Sequence, residues 1–446
     1  MKDTTMIRDA SGMLNAYSGD GAVDEMTETL IRRRQSLLGP AYRLFYERPI
    51  HMVRGEGPWL FDASGERYLD AYNNVVSVGH CHPHIVDAIA RQAAVLNTHT
   101  RYLGDSILDY AERILATMPD ALGNIMFTCT GSEANDLALR VARHCTDRKG
   151  VIVTQLAYHG VTQAVSEVSP SLGFGGERPP HVRTIAAPDT YRLEGDIAEL
   201  LAAQTRQAVA ELEAAGYGVA ALMCDTIFSS DGVFTTRGLL SGAAAAVQAA
   251  GGLYIADEVQ AGFGRTGENM WGFARHGVTP DIVTMGKPMG NGHPVAAAIM
   301  RPELLAQFGE RARYFNTFGG NTVSCAAAAA TLDVIEQEGL PANADKVGAY
   351  FRQRLQTLMT RHDCIGDVRG AGLFLGLELV SARDGKIPNA TLASRVVNGM
   401  RDKRILISTT GIHGNVLKIR PPLIWQQEHV DMFVDSLDSL LKDLAR

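Results

Sequence analysis

Two short apolar runs, each ending in a charged side chain, constrain this chain more than anything else in it. Leu253-Tyr254-Ile255-Ala256 follows Gly251-Gly252, carries aromatic and β-branched residues, and stops at Asp257-Glu258, so it reads as a buried strand. Asp281 to Met285 is a second such run and ends in Gly286-Lys287. Other strand-like runs (125–128, 151–153 and 219–224) alternate with helical spacing over 131–143, 192–215 and 241–250. That alternation specifies an α/β fold with a doubly wound, mostly parallel sheet. Such sheets bind ligands at the carboxyl ends of their strands, so Asp257 and Lys287 are delivered to one edge.

An acid and an amine at that edge suit pyridoxal phosphate: the amine condenses with the aldehyde, and the carboxylate keeps the pyridine nitrogen protonated. A phosphate needs a separate cradle, and Cys129-Thr130-Gly131-Ser132-Glu133-Ala134-Asn135 offers one at a helix start, where unpaired N–H groups gather. Gly131 allows close approach and the Ser132 hydroxyl adds a donor; read alone, Ser132 fits an N-cap equally well. Gly262-Phe263-Gly264-Arg265-Thr266-Gly267 satisfies the G-x-G-x-x-G dinucleotide pattern, but Asp257-Glu258 intervene after the strand and no helical period follows. Its glycines are expected to serve a tight turn.

The Asp257-Glu258-Val259-Gln260 and Met285-Gly286-Lys287-Pro288 segments, with Gly131-Ser132-Glu133-Ala134-Asn135, resemble the motifs of class III, fold type I pyridoxal phosphate enzymes. The resemblance runs from about residue 42 to the C-terminus. It implies that Lys287 carries the cofactor, Asp257 pairs with the ring nitrogen, Tyr158 stacks on the ring beside His159, Val259 packs on the other face, and Gln260 approaches the phenolic oxygen. Gly131 and Ser132 would hold the phosphate. Thr317, in Tyr314-Phe315-Asn316-Thr317, would reach the phosphate of a neighbouring subunit, which implies a homodimer with shared sites. Tyr72, Asn73, Asn74 and Val75 would line the substrate entrance. The implied organisation is an N-terminal arm and part of a small domain over 1–75, a large cofactor domain over 76–335, and an α+β small domain over 336–446.

The totals exclude some alternatives. A formal charge of -7 argues against a nucleic-acid or anionic-membrane partner. No apolar run approaches the ~18 residues of a membrane span, and Met1-Lys2-Asp3-Thr4-Thr5 lacks the regions of a signal peptide. The six cysteines are scattered with no C-x-x-C pair, as expected of reduced thiols in a cytoplasm. His80-Cys81-His82 has no distant partner in the sequence and reads as structural rather than as a metal site.

Two departures from the class III pattern bear on the reaction. Carboxylate-acting aminotransferases of the class commonly carry Glu-Pro where this chain has Asp225-Thr226, and many place a glutamate where it has Ser230. Their carboxylate-binding arginine lies three residues before a Pro-Pro pair; here that position is Lys418, with Arg420 next to Pro421-Pro422. A point charge for a planar fork is not a conservative exchange. Both departures are similar to the ethanolamine-phosphate and phosphohydroxylysine phospholyases, as are the segments around Arg101-Tyr102-Leu103 and Asn415–Ile419. That likeness implies a lyase that expels phosphate and ammonia from a phosphorylated amine, with Arg101, Lys418 and Arg420 as its anion contacts. An aminotransferase acting on an amine or ω-amino acid, with pyruvate or glyoxylate as acceptor, is the alternative. A non-catalytic relative is disfavoured by the joint presence of Asp257, Lys287, Tyr158 and Thr317.

Overall fold

Strand ends decide where the site lies. The structure is a computed structural model that describes residues 15–19, 21–173 and 177–445; residues 1–14, where the expected N-terminal arm begins, lie outside them. Its central sheet has seven strands in the order Asn124–Thr128, Ala296–Met300, Ile282–Met285, Leu253–Asp257, Val219–Asp225, Gly150–Thr154 and Val182–Ile185. Ala296–Met300 runs antiparallel to both neighbours, and the remaining pairings are parallel. Register places Asp225 opposite Asp257 and Asp257 opposite Thr284, so three polar side chains end level at one edge, with Lys287 just beyond.

Ala296–Met300 was not legible as a strand, because its three alanines have little β-propensity. Its five residues are buried, and small side chains let the helix Gly131–Thr146 pack closely on it. That helix is fixed by Thr130, whose side chain accepts from the Glu133 N–H while Glu133 caps Thr130 in return. Ser132 is therefore not the N-cap, and its hydroxyl is free for another task. The helix expected from residue 192 starts at Ile197 behind the cap Asp196. The closing helix is Gln427–Leu444, and its Phe433 packs 5.1 Å from Phe351.

The chain's two ends meet in one sheet. Met52–Glu56, Trp59–Asp62 and Arg67–Asp70 form antiparallel neighbours, and Ile405–Leu406 adds in parallel, with Ile405 opposite Leu69. A third sheet joins Ile365–Ala371, Phe374–Leu379, Val416–Ile419 and Ser408–Thr410, and it carries Lys418.

No helix opens from Gly262–Gly267; the segment is a series of turns. Gly264 and Gly267 sit at φ of +74° and +86°. A Cβ on Gly264 would stand 2.6 Å from Pro341, and one on Gly267 2.8 Å from Asp345. These glycines bring the loop against the helix Leu340–Met359 rather than against a phosphate. His80 and His82 turn to different carboxylates, Asp70 at 2.8 Å and Glu338 at 3.4 Å, which gives each a partner other than a metal.

Candidate active site

A cavity of about 300 Å³ lies at the carboxyl edge of the central sheet. Gly131, Ser132, Tyr158, His159, Asp257, Val259, Gln260 and Lys287 all line it, as do Asp225, Cys129 and Val75. Local geometry explains the cradle at one end. The capping box occupies the Glu133 N–H, which leaves those of Gly131 and Ser132 for a ligand. The Ser132 hydroxyl accepts from the Val161 N–H at 3.1 Å and keeps its own proton to donate. Gly160, at φ +140°, passes so close that a Cβ there would lie 2.3 Å from the Ser132 oxygen. A Cβ on Gly131 would press on the Val259 methyls at 3.0 Å. Only glycine leaves this end open.

Asp257 is almost fully buried and each of its oxygens is occupied. Oδ1 accepts from the Val259 N–H at 3.0 Å; Oδ2 accepts from His159 Nδ1 at 2.7 Å and from Asn135 Nδ2 at 3.0 Å. Asn135 also donates to the His159 carbonyl at 2.8 Å, and its oxygen receives the Thr284 hydroxyl at 2.6 Å. A carboxylate held by three donors keeps one orientation. The buried His159 Nε2 has no partner, which leaves a polar atom at the cavity for a ligand to satisfy.

Lys287 is half-buried against the cavity, its amine 5.9 Å from the Tyr158 ring centroid. Burial lowers its pKa, and the Arg420 charge lowers it further, while Asp257 and Asp225 pull the other way. Gln260 links the cavity to a second layer: Nε2 donates to Ser229 Oγ and Oε1 accepts from Arg420 Nη1, each at 2.5 Å. Arg420 also reaches Asn74 Oδ1 at 3.4 Å and lies 4.7 Å over the Tyr72 ring. Lys418 is buried beside this group. Burial and Arg420 push its amine well below the usual lysine range, and Asp225 opposes them.

The structure thus brings the expected cofactor residues to the cavity except Thr317, and of the expected substrate contacts only Val75 lines it. Arg101 and Thr317 are exposed and do not line the cavity of their own chain. Arg101 stacks instead on Phe315, its guanidinium carbon 3.7 Å from the ring centroid, two residues from Thr317. Asn74, Lys418 and Arg420 stand behind the wall formed by Gln260 and Asp225 rather than in it. Asp225 and Asn135 were not expected at the site. Register with Asp257 was the signal for the first, and its place in the helix-start motif was the signal for the second.

Glu258, next to Asp257, faces away from the cavity. It is fully buried with no cation, holding the Thr226 hydroxyl and the Gly272 and Phe273 N–H groups, and burial raises its carboxyl to about 7. A folded-state pKa above the unfolded value means that the native state binds the extra proton. Its contribution is therefore complete below about 4.5 and lost as pH rises through about 7. Melting temperature followed from pH 5 to 8 should fall with a component that Glu258→Gln removes; an identical slope in that variant would reject the assignment.

A family model for class-III aminotransferases matches residues 45–441. The chain belongs to the class-III aminotransferase family. Its large sheet and cavity accordingly form a fold type I pyridoxal phosphate enzyme, and the glycine-lined cradle, the firmly held Asp257 and the cavity-facing Lys287 fit that cofactor. It is 43% identical to an alanine–glyoxylate aminotransferase 2-like protein of Drosophila melanogaster, over 92% of this chain and 85% of that one. It is 37% identical to an ethanolamine-phosphate phospho-lyase homologue of Caenorhabditis elegans, over 94% of each. A phospholyase from Arthrobacter solved with phosphoethanolamine superposes with a TM-score of 0.90 at 44% identity, covering 93% of this chain and 99% of that one. Among the described residues no helix is long and apolar enough to cross a membrane.

Proposed function

We propose that this chain is a pyridoxal phosphate-dependent phospholyase that removes phosphate and ammonia from a phosphorylated amine such as O-phosphoethanolamine, giving an aldehyde. The observation that carries the reading is the buried pair Lys418 and Arg420 beside the cavity, where a carboxylate-binding arginine would stand in an aminotransferase of the class. The likeness to a phospholyase solved with phosphoethanolamine supports it.

Lys287, Asp257, Tyr158, His159, Val259, Gln260, Gly131 and Ser132 would hold the cofactor, which when bound supplies an electron sink for the substrate carbon that bears the nitrogen. Asp257, fixed by Asn135 and His159, presents a carboxylate of one orientation to the pyridine nitrogen. Lys287 Nζ takes the proton from that carbon, a task that its depressed basicity suits at neutral pH. Arg420, held at the cavity wall by Gln260 with Lys418 behind it, draws the phosphate toward that wall, so its developing charge faces a fixed cation as the neighbouring C–O bond breaks. Water then completes the balance: phosphoethanolamine and water yield acetaldehyde, ammonia and inorganic phosphate.

The expected result is release of phosphate, ammonia and acetaldehyde in equal amounts with no keto acid present. Lys418→Met should slow O-phosphoethanolamine more than an unphosphorylated amine. Phosphate that stays on carbon, with turnover only when pyruvate or glyoxylate is supplied, would make the protein an aminotransferase. That second reading is favoured by the likeness to alanine–glyoxylate aminotransferase 2 proteins.

The same proposal includes a homodimer with shared sites, small domains at 1–75 and 336–446 around a large domain at 76–335, and a cytoplasmic location without membrane or nucleic-acid partners. A second copy is supported by the exposed apolar cluster beside Thr317: Phe318 and Tyr102 are each 68% exposed, and Leu103 is wholly so. Mixing Thr317→Ala with Lys287→Ala subunits should produce heterodimers with one unmutated site, and activity should rise above that of Thr317→Ala alone. No gain after confirmed subunit exchange would reject shared sites.

A further inference from the structure

Arg265 lies inside the glycine-rich turn Gly262–Gly267 and does not line the cavity. It is only 1% exposed, and among the described residues it forms no ion pair, with Asp70 acting on it only through its charge. Its Nη1 donates to the Leu373 carbonyl at 3.1 Å and to the Pro421 carbonyl, and its own carbonyl receives the Leu373 N–H at 3.1 Å. Gly372, at φ +51°, permits this contact, since a Cβ there would lie 2.4 Å from the Arg265 oxygen. Nη2 is buried without a partner.

A half-satisfied buried cation is a costly way to join two segments, because desolvation opposes it and an apolar contact would hold them as well. What distinguishes Arg265 is the carbonyl it takes. Pro421 directly follows Arg420, whose N–H donates to the Ala71 carbonyl at 2.9 Å. The head of Arg420 is held by Gln260, five residues before Arg265 on the same loop. One loop therefore fixes both the root and the head of Arg420. The two guanidinium groups are also close enough to repel, and the Asp70 carboxylate offsets part of that repulsion at Arg265.

We infer that Arg265 is a positioning residue for Arg420 and, through it, sets the affinity of the site for the phosphate of the substrate. The inference rests on the reading of Arg420 as a phosphate contact. It also assigns the glycine pattern a purpose: Gly264 and Gly267 bring the loop into the interface, and Arg265 reaches across it.

The test is a double-mutant cycle on the holoenzyme. Arg265→Met should raise KM for O-phosphoethanolamine about tenfold and weaken inorganic phosphate, titrated calorimetrically, by a similar factor, with kcat changed less than about twofold. The visible absorbance of the bound cofactor should not move. In an Arg420→Ala background the same substitution should add less than about twofold. An unchanged KM in folded Arg265→Met, or an equal penalty in both backgrounds, overturns the inference. Should Arg265→Met fail to fold, Arg265→Lys replaces it in the cycle, with a rise of about threefold expected and an unchanged KM overturning the idea. If Arg420→Ala alone leaves KM and phosphate affinity untouched, the reading of Arg420 fails and takes the inference with it. If Arg420→Ala weakens both and Arg265→Met neither, only the inference fails.

Discussion

Lys287→Ala should yield a folded protein that takes up pyridoxal phosphate but turns over at least ~10⁴-fold more slowly, since the acid–base group and the covalent tether are lost together. Retention of the cofactor is expected because the cradle at Gly131 and Ser132, the Asp257 carboxylate and the Tyr158 ring do not depend on the lysine. Removing a half-buried amine whose pKa is lowered by burial also relieves a desolvated cation near Arg420, so stability should not fall sharply. Borohydride reduction of the unmutated holoenzyme followed by peptide mapping should place the label on a peptide containing Lys287. A label on another lysine, or measurable turnover in the alanine variant, would dismantle the site.

Asp257→Asn should cost at least ~10²-fold in kcat/KM, because the ring nitrogen loses a fixed negative charge in a site shielded from water. The amide is a poor replacement on geometric grounds as well. Asp257 accepts from Val259, His159 and Asn135, and one amide oxygen cannot serve all three. Its –NH₂ would face another donor, at about 1–3 kcal/mol for the group left unpaired. The pH at which the bound cofactor's visible absorbance titrates should shift, a signature that a purely structural defect would not give. A rate within about threefold of the unmutated enzyme would show that another group partners the nitrogen.

How much of this could be read along the chain follows from the range of each interaction. Strand runs that stop at Asp257 and Lys287, and a capped helix that opens at Gly131, are local patterns fixed by burial period and by unpaired N–H groups. Those patterns placed Asp257, Lys287, Gly131 and Ser132 at one sheet edge, and the family resemblance added Tyr158, His159, Val259 and Gln260; all eight line one cavity. The alanine-rich strand Ala296–Met300 escaped notice, since its strand character comes from being buried between neighbours rather than from its own residues. Asn135 joins Asp257 from 122 residues away and Arg420 joins Gln260 from 160, and no local period encodes such a meeting. Arg101 and Thr317 lie on an exposed surface away from the cavity, Arg101 stacked on Phe315. The sequence by itself determined the parallel strands, the helix start at Gly131 and the charged pair at the sheet edge. Only the packing of the C-terminal sheet against the glycine-rich turn decided which buried cations stand behind them, because a buried charge is held by partners that come together only in the folded chain.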